Sequence, residues 1–224
     1  MVDATPDPAA LRAFMLTTLG NAASMPVHGP GGPIVAEDQM WANYRYFIDA
    51  VLPVAATEGV RLALHPDDPP APMLGGIARL FWRPEAFYKA HAMVGGNPVW
   101  ALDLCLGCCS EMVGGRRNVH ELIDYFAPRG AIAYIHFRDV QGTMPAFTEC
   151  FIGDGNFDPA EVLAQLARSG FDGFLLDDHV PQMDGDSPWN HRGRAHAIGY
   201  MQGLIRMGQH PGAVQAARAF TGTR

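Results

Sequence analysis

The chain has 224 residues, 48% of them hydrophobic, and a formal net charge of −7, enough apolar material for a sizeable domain with its own core. The acidic balance, with no basic run longer than Arg116–Arg117, excludes the footprint of a nucleic-acid binder. No apolar stretch approaches the roughly 18–20 residues that span a bilayer, the first residues lack the basic and apolar segments of a secretory signal, and a cytoplasmic protein is expected.

Residues 1–36 read as a short helix and a linker. Asp7 is placed as cap, Pro8 in the first turn and Gly20 past the end, and the Gly- and Pro-rich stretch that follows has no period. A longer helix is predicted from Glu37, because Trp41, Tyr44, Phe47, Ile48, Val51 and Leu52 recur at helical spacing. Pro53 is positioned to kink it and Gly59 to end it. Residues 37–210 then form the main body, and 211–224 a tail.

Within that body four short apolar runs each end on a residue able to bind a metal. RLALH ends at His65, VWALDLC at Cys105, AIAYIHFRD carries His136, and DGFLLDDH closes on Asp178 and His179. Helical stretches separate or follow them: PEAFYKAHAMV, NVHELIDYFAPRG, DPAEVLAQLARSG and GRAHAIGYMQGLIRMG. In the third, Asp158 is the cap and Gly170 lies past the end. Strand followed by helix, four times over, predicts an α/β fold with a parallel sheet, a (β/α) barrel of the TIM type. Four units are half of the usual eight, so the barrel is expected to be incomplete in this chain. A half barrel exposes strand edges and a sheet face, which calls for a homo-oligomer or a complementing N-terminal half.

Successive parallel strands deliver their C-terminal ends to one rim, where such folds keep their chemistry. The period of two sets Ala63 and His65 opposite two leucines, and Asp103 and Cys105 opposite Trp100, Leu102 and Leu104. It likewise puts Ile132, Tyr134, His136 and Arg138 on one face. A His, a Cys, a second His and an Asp at one rim make a four-donor divalent-metal site, of a mixed softness that suits Zn, Fe or Mn. The crowded Cys105, Cys108 and Cys109 lack the second pair that a zinc ribbon needs, so one cysteine as ligand beside two packing as small apolar groups is the better reading. Asp67 and Asp68, just past His65, either orient ligands and sugar hydroxyls or cap a turn among prolines. Arg138 either meets a substrate carboxylate with its planar fork or makes an ion pair. Glu149, in a loop after the third strand, and Arg194 each stand between a role beside the site and simple solvation.

HPDDPP at 65–70, LCLG at 104–107, IHFRDV at 135–140, FTECFIGDGNFD at 147–158, LDDH at 176–179 and RAHAIGYMQGL at 194–204 together resemble the mannonate dehydratases, in an N-terminally shortened form. These are xylose-isomerase-like (β/α)8 barrels, and the resemblance runs in order from about residue 37 to 206. It implies dehydration of D-mannonate to 2-keto-3-deoxy-D-gluconate, within hexuronate breakdown, with a divalent metal, usually Mn2+ or Fe2+. It implies His65, Cys105, His136 and Asp178 as ligands, His179 beside Asp178 as the acid/base group, and a substrate side formed by Arg138, Asp67, Glu149 and Arg194. Another metal-dependent sugar isomerase or epimerase would keep the ligands. A non-catalytic metal-binding chain, or one half of a split enzyme, is the alternative of a different class.

Overall fold

A computed structural model describes residues 34–210 and Gly212. The helix and linker expected over residues 1–33, and the tail from 211 on apart from Gly212, lie outside the described residues. In chain order the elements are α1 (Glu37–Glu58), β1 (Leu62–Leu64), β2 (Met73–Leu74), β3 (Ile77–Ala78), α2 (Pro84–Met93) and β4 (Trp100–Cys105). They continue with α3 (Leu106–Glu111), α4 (Arg116–Phe126), a 3-10 turn (Ala127–Arg129), β5 (Ile132–His136), β6 (Asp139–Thr143) and β7 (Ala146–Cys150). The last are α5 (Pro159–Arg168), β8 (Phe174–Leu176) and α6 (His191–Gln209).

The four predicted runs become β1, β4, β5 and β8, and these form one parallel sheet in that order. The helices predicted from Glu37 onward are also present, and α1 passes Pro53 unbroken before Gly59 ends it in the left-handed region. Asp158 caps α5 by accepting from the N–H groups of Ala160 and Glu161, which satisfies two donors that a bare helix end would leave unpaired. One expected face differs. Phe47, assigned to the apolar stripe of α1, is exposed, whereas Trp41, Ile48 and Ala55 are buried.

The helices pack on one face of the sheet. Phe87 and Ala90 from α2, Val119, Leu122, Ile123 and Phe126 from α4, and Val162 and Leu166 from α5 share a core with Trp100, Leu102, Leu104 and Ile135. Full burial of a side chain of this kind contributes about 1.5–3 kcal/mol, and this layer anchors the strands whose ends carry the candidate ligands. The Trp100 indole also donates to the Tyr44 hydroxyl at 2.8 Å, tying α1 to β4.

The register between β4 and β5 slips at one point. Leu102 pairs with Ile132, but Asp103 pairs with Tyr134 and Cys105 with His136. One extra residue in β5 therefore reverses the alternation. Ile132 joins Leu102 in the core instead of sharing a face with Tyr134 and His136, which corrects the strict period-two expectation. On the opposite side, Tyr134 pairs with Phe174 and His136 with Leu176. Phe174 and Leu176 are 58% and 41% exposed, so the β8 edge of the sheet face away from the helices is exposed.

Two hairpins and the short helix α3 were not anticipated. In the first hairpin β2 pairs with β3 across Gly75 and Gly76, both at positive φ as a tight two-residue turn requires. In the second, β6 and β7 pair antiparallel from Asp139↔Cys150 to Thr143↔Ala146. Glu149 is thus on a strand, not in the expected loop. Neither DVQGT nor AFTEC alternates apolar with polar residues, so a period-two search passes over both.

Candidate metal centre

Each of the four candidate ligands sits at or just past a strand end. Cys105 and His136 close β4 and β5, His65 follows β1 by one residue, and Asp178 follows β8 by two. One donor atom from each lies within 4.8 Å of the others. The Cys105 thiol is buried, 3.6 Å from Asp178 Oδ2, and accepts from the Cys108 N–H where α3 begins. His65 Nδ1 is 2.6 Å from the Pro66 carbonyl. A carbonyl only accepts, so Nδ1 carries a hydrogen, and in the neutral ring Nε2 keeps the lone pair. His136 Nδ1 lies 3.5 Å from Asp103 Oδ1 and 3.9 Å from Asp178 Oδ2. Both His136 Nδ1 and Asp103 Oδ1 are buried without a hydrogen-bond partner among the described residues.

The electrostatics are those of a site short of positive charge. Burial alone would raise the Cys105 thiol, but hydrogen bonds from Cys108, His136 and His65, with the Arg138 charge, hold it well below the ordinary thiol range. Burial opposes protonation of His65, yet hydrogen bonding and charge from Cys105, together with the Asp103 charge, push it up to about 9. Asp178 is raised by burial and by the Cys105 charge. A thiolate, a carboxylate and two imidazoles at this spacing are the donor chemistry of a divalent transition metal. The unpartnered nitrogen of His136 shows that side-chain bonding among the described residues leaves this set unsatisfied. The donor set fits a metal ion.

Beside the candidate ligands lies a second cluster built on Arg138, whose side chain is 1% exposed. Its Nη1 donates to Asp68 Oδ2 at 3.0 Å, its Nη2 to Glu111 Oε1 at 2.6 Å and its Nε to Glu149 Oε2 at 3.0 Å, and Nη2 also meets Glu149 Oε1. The stem of Arg138 lies across Gly107, where an added Cβ would stand 2.8 Å from Arg138 Cδ. Of the two readings open from the sequence, the ion pair is the one observed. The fork is engaged on every edge by protein carboxylates and leaves none for a substrate. Burial pushes Glu111 up to about 9 despite Arg138.

Of the remaining candidates, Asp67 and Arg194 are paired with protein groups outside the candidate ligand set, and His179 lies beside it. Asp67 pairs with Arg79 and accepts from the Phe81 N–H at 2.7 Å, which holds the segment carrying the first hairpin. Arg194 Nη1 is 2.7 Å from Asp177 Oδ2, and its Nε donates to the Trp189 carbonyl at 3.1 Å, pinning the loop before α6 to the end of β8. His179 Nδ1 is 3.2 Å from Glu149 Oε1, and its Nε2 is 3.8 Å from Asp178 Oδ1. The hydrogen bond to Glu149 is the main reason His179 is raised above the ordinary imidazole value.

Three residues escaped sequence reasoning as parts of the site. Asp103 shares the Cys105 face by simple alternation, so its signal was present. Glu111 had none, since α3 was not expected. Asp139 accepts from the N–H groups of Val140, Gly153, Gly155 and Asn156. An added Cβ at Gly155 would stand 2.2 Å from Asp139 Oδ1. This bracing explains the run FIGDGNFD: it locks the loop against the hairpin that presents Glu149.

A family model described as D-mannonate dehydratase (UxuA) matches residues 33–212. A mannonate dehydratase from Lactococcus lactis subsp. cremoris is 29% identical over 178 residues, which are 76% of this chain and 49% of the relative. One from Geobacillus thermodenitrificans is 30% identical over 179 residues, 76% of this chain and 46% of its own length. The crystal structure of mannonate dehydratase from Streptococcus suis serotype 2 superposes with a TM-score of 0.69 at 24% identity, over 92% of this chain and 57% of that one. That likeness shows the fold, a parallel α/β arrangement of the TIM-barrel type. The chain spans about half the length of the curated relatives it matches.

Proposed function

Because the chain belongs to the D-mannonate dehydratase family, we propose that it carries the metal-holding and proton-moving rim of a hydro-lyase that converts D-mannonate to 2-keto-3-deoxy-D-gluconate and water. The observation that carries this reading is the convergence of His65, Cys105, His136 and Asp178, from four successive strand ends, to within 4.8 Å. A divalent ion held there, Mn2+ or Fe2+, would supply Lewis-acid stabilisation for the negative charge that builds when the proton α to the carboxylate is removed.

The chain's own residues divide the remaining work. His179 lies beside the candidate ligands with one nitrogen free to move a proton: Nδ1 is committed to Glu149, and Nε2 lies on the Asp178 side. An imidazole is suited either to take the proton from C2 or to protonate the departing 3-hydroxyl. Asp178 accepts only and belongs to the metal. We assign Asp67, Arg138 and Arg194 to holding the rim, not to touching sugar, because each is already paired with protein groups.

The test is direct. The purified chain in its complete assembly, as a homo-oligomer or with a complementing half, is loaded with Mn2+ or Fe2+ and offered a panel of aldonic acids, and the 2-keto-3-deoxy acid is measured. Product from D-mannonate supports the reading; bound metal with product from none of the acids overturns it. Metal content gives a second expected result. About one divalent ion per chain is expected by elemental analysis, and Cys105→Ala or His136→Ala should release it, since each removes one of four donors. No metal after purification without chelator, and none after reconstitution, would exclude the site.

The reading includes a partner on the exposed edge of the sheet. Phe174 and Leu176 are exposed there, β1 and β8 are edge strands among the described residues, and such edges invite pairing or cover. Sedimentation is expected to show a dimer or larger species, or a complex with a separate complementing half. A monomer that turns over mannonate unaided would contradict this part. No helix among the described residues is long and apolar enough to cross a membrane, and a cytoplasmic location is part of the proposal.

A further inference from the structure

His179 is the least constrained member of the site. Its side chain is 55% exposed, and it follows β8 on a segment with no regular structure. An imidazole so placed can spin about its side-chain torsions, and either nitrogen can carry the hydrogen of the neutral ring. Catalysis by such a group needs one nitrogen held on the reacting side.

Glu149 supplies the constraint. Its Oε1 lies 3.2 Å from His179 Nδ1, nearer than Asp68 Oδ2 at 4.0 Å. An ionised carboxylate has no hydrogen to give, so the bond requires Nδ1–H and leaves the lone pair on Nε2, the nitrogen on the Asp178 side. The carboxylate is itself unable to turn. Arg138 grips both of its oxygens, and that guanidinium is fixed in turn by Glu111 and Asp68. Asp139 and Asn156 brace the hairpin that carries Glu149: Asn156 donates to the Gly142 and Ser110 carbonyls at 2.7 and 3.1 Å.

We propose that Glu149 is the positioning residue of His179: with Arg138 behind it, it fixes the ring's orientation and its Nδ1–H tautomer so that Nε2 faces the reaction. The inference rests on His179 being the proton-moving group, and it adds the device that makes that assignment work. Glu149 thereby acts through His179 and not on the sugar acid, which revises the substrate-side role expected from the resemblance.

The tautomer can be read without turnover. Long-range 1H–15N spectra of the imidazoles are recorded on the zinc-loaded chain, because zinc is diamagnetic, at the alkaline end of its stable range. The His179 signal is assigned by its loss in His179→Asn. The wild type is expected to show the Nδ1–H form, Glu149→Gln to retain it because the amide carbonyl still accepts, and Glu149→Ala to move toward the Nε2–H form or a mixture. Metal content should stay unchanged in both variants. In an assembly that turns over mannonate, Glu149→Ala is expected to lower kcat about 10–100-fold, as loss of a supporting partner typically does, with KM little altered and partial recovery in Glu149→Gln. An unchanged tautomer in Glu149→Ala, or an Nε2–H form in the wild type, overturns the proposal. If Glu149→Ala fails to fold, the wild-type and Glu149→Gln spectra decide it. A shifted tautomer in a complete assembly with no activity on any aldonic acid would support the positioning role while defeating the dehydratase reading, so the two failures stay distinct.

Discussion

Replacing His179 by asparagine is expected to leave the metal bound and lower turnover by roughly 10²–10⁴, the usual contribution of a positioned general acid or base. The amide can still bond to Glu149, so the loop after β8 should keep its place, but no group remains to move the proton. Asp178→Asn is the contrasting variant. Its side chain is 3.6 Å from the Cys105 sulfur, within the ligand cluster, and loss of its charge should weaken metal binding and take activity with it. Metal occupancy and formation of the 2-keto-3-deoxy acid, measured side by side in the active assembly, separate the two roles. Unchanged rates in His179→Asn would remove it from the mechanism. Loss of metal in that variant would mean that the division of labour between these neighbours is wrong.

Arg138→Met is expected to destabilise the chain by about 3–5 kcal/mol, the range for removing one partner of a buried ion pair. The loss follows from what is left behind: Asp68, Glu111 and Glu149 would surround an apolar stem, with a buried thiol pair beside them. Glu111→Gln should be far milder, within about 1 kcal/mol at neutral pH, the worth of an ordinary hydrogen bond, because burial already keeps that carboxyl protonated up to about 9. The pH dependence has a definite sign. Glu111 is raised from 4.5 in the unfolded chain to about 9 in the folded one, so its contribution is complete below about 4.5 and is lost as pH climbs toward about 9. Glu111→Gln should remove that alkaline decline. Denaturant unfolding of the three proteins across this range checks both points. An Arg138→Met variant as stable as the parent would show that the guanidinium does not hold the rim together, and an equally steep alkaline decline in Glu111→Gln would place the titrating group elsewhere.

Local sequence determined the four strands of the parallel sheet, most of the helices and the four candidate ligands. Periodicity of two or near 3.6 is a property of neighbouring residues, and a ligand at the end of an apolar run needs only the parallel topology to meet the others. That is why His65, Cys105, His136 and Asp178, spread over more than a hundred positions, could be named together before any geometry was known. The same local rule failed at Ile132. The slip in register between β4 and β5 is settled by which partners β5 meets on either side, and no pattern within AIAYIHFRD announces it. The hairpin of β6 and β7 was also silent, because its residues lack alternation and it is held by Asp139 and Asn156.

Only the tertiary structure decided what the charged residues do. Arg138 meets Asp68, Glu111 and Glu149 at separations of 70, 27 and 11 residues, so its choice between substrate and ion pair was made by the folding of distant segments onto one point. Glu149 looked merely polar in sequence and proved to bridge that buried guanidinium to His179. A side chain's apolar or polar character travels with the residue. A charge's partner, burial and proton affinity depend on what the fold brings within a few ångströms, where low polarity strengthens every pairing and penalises every omission.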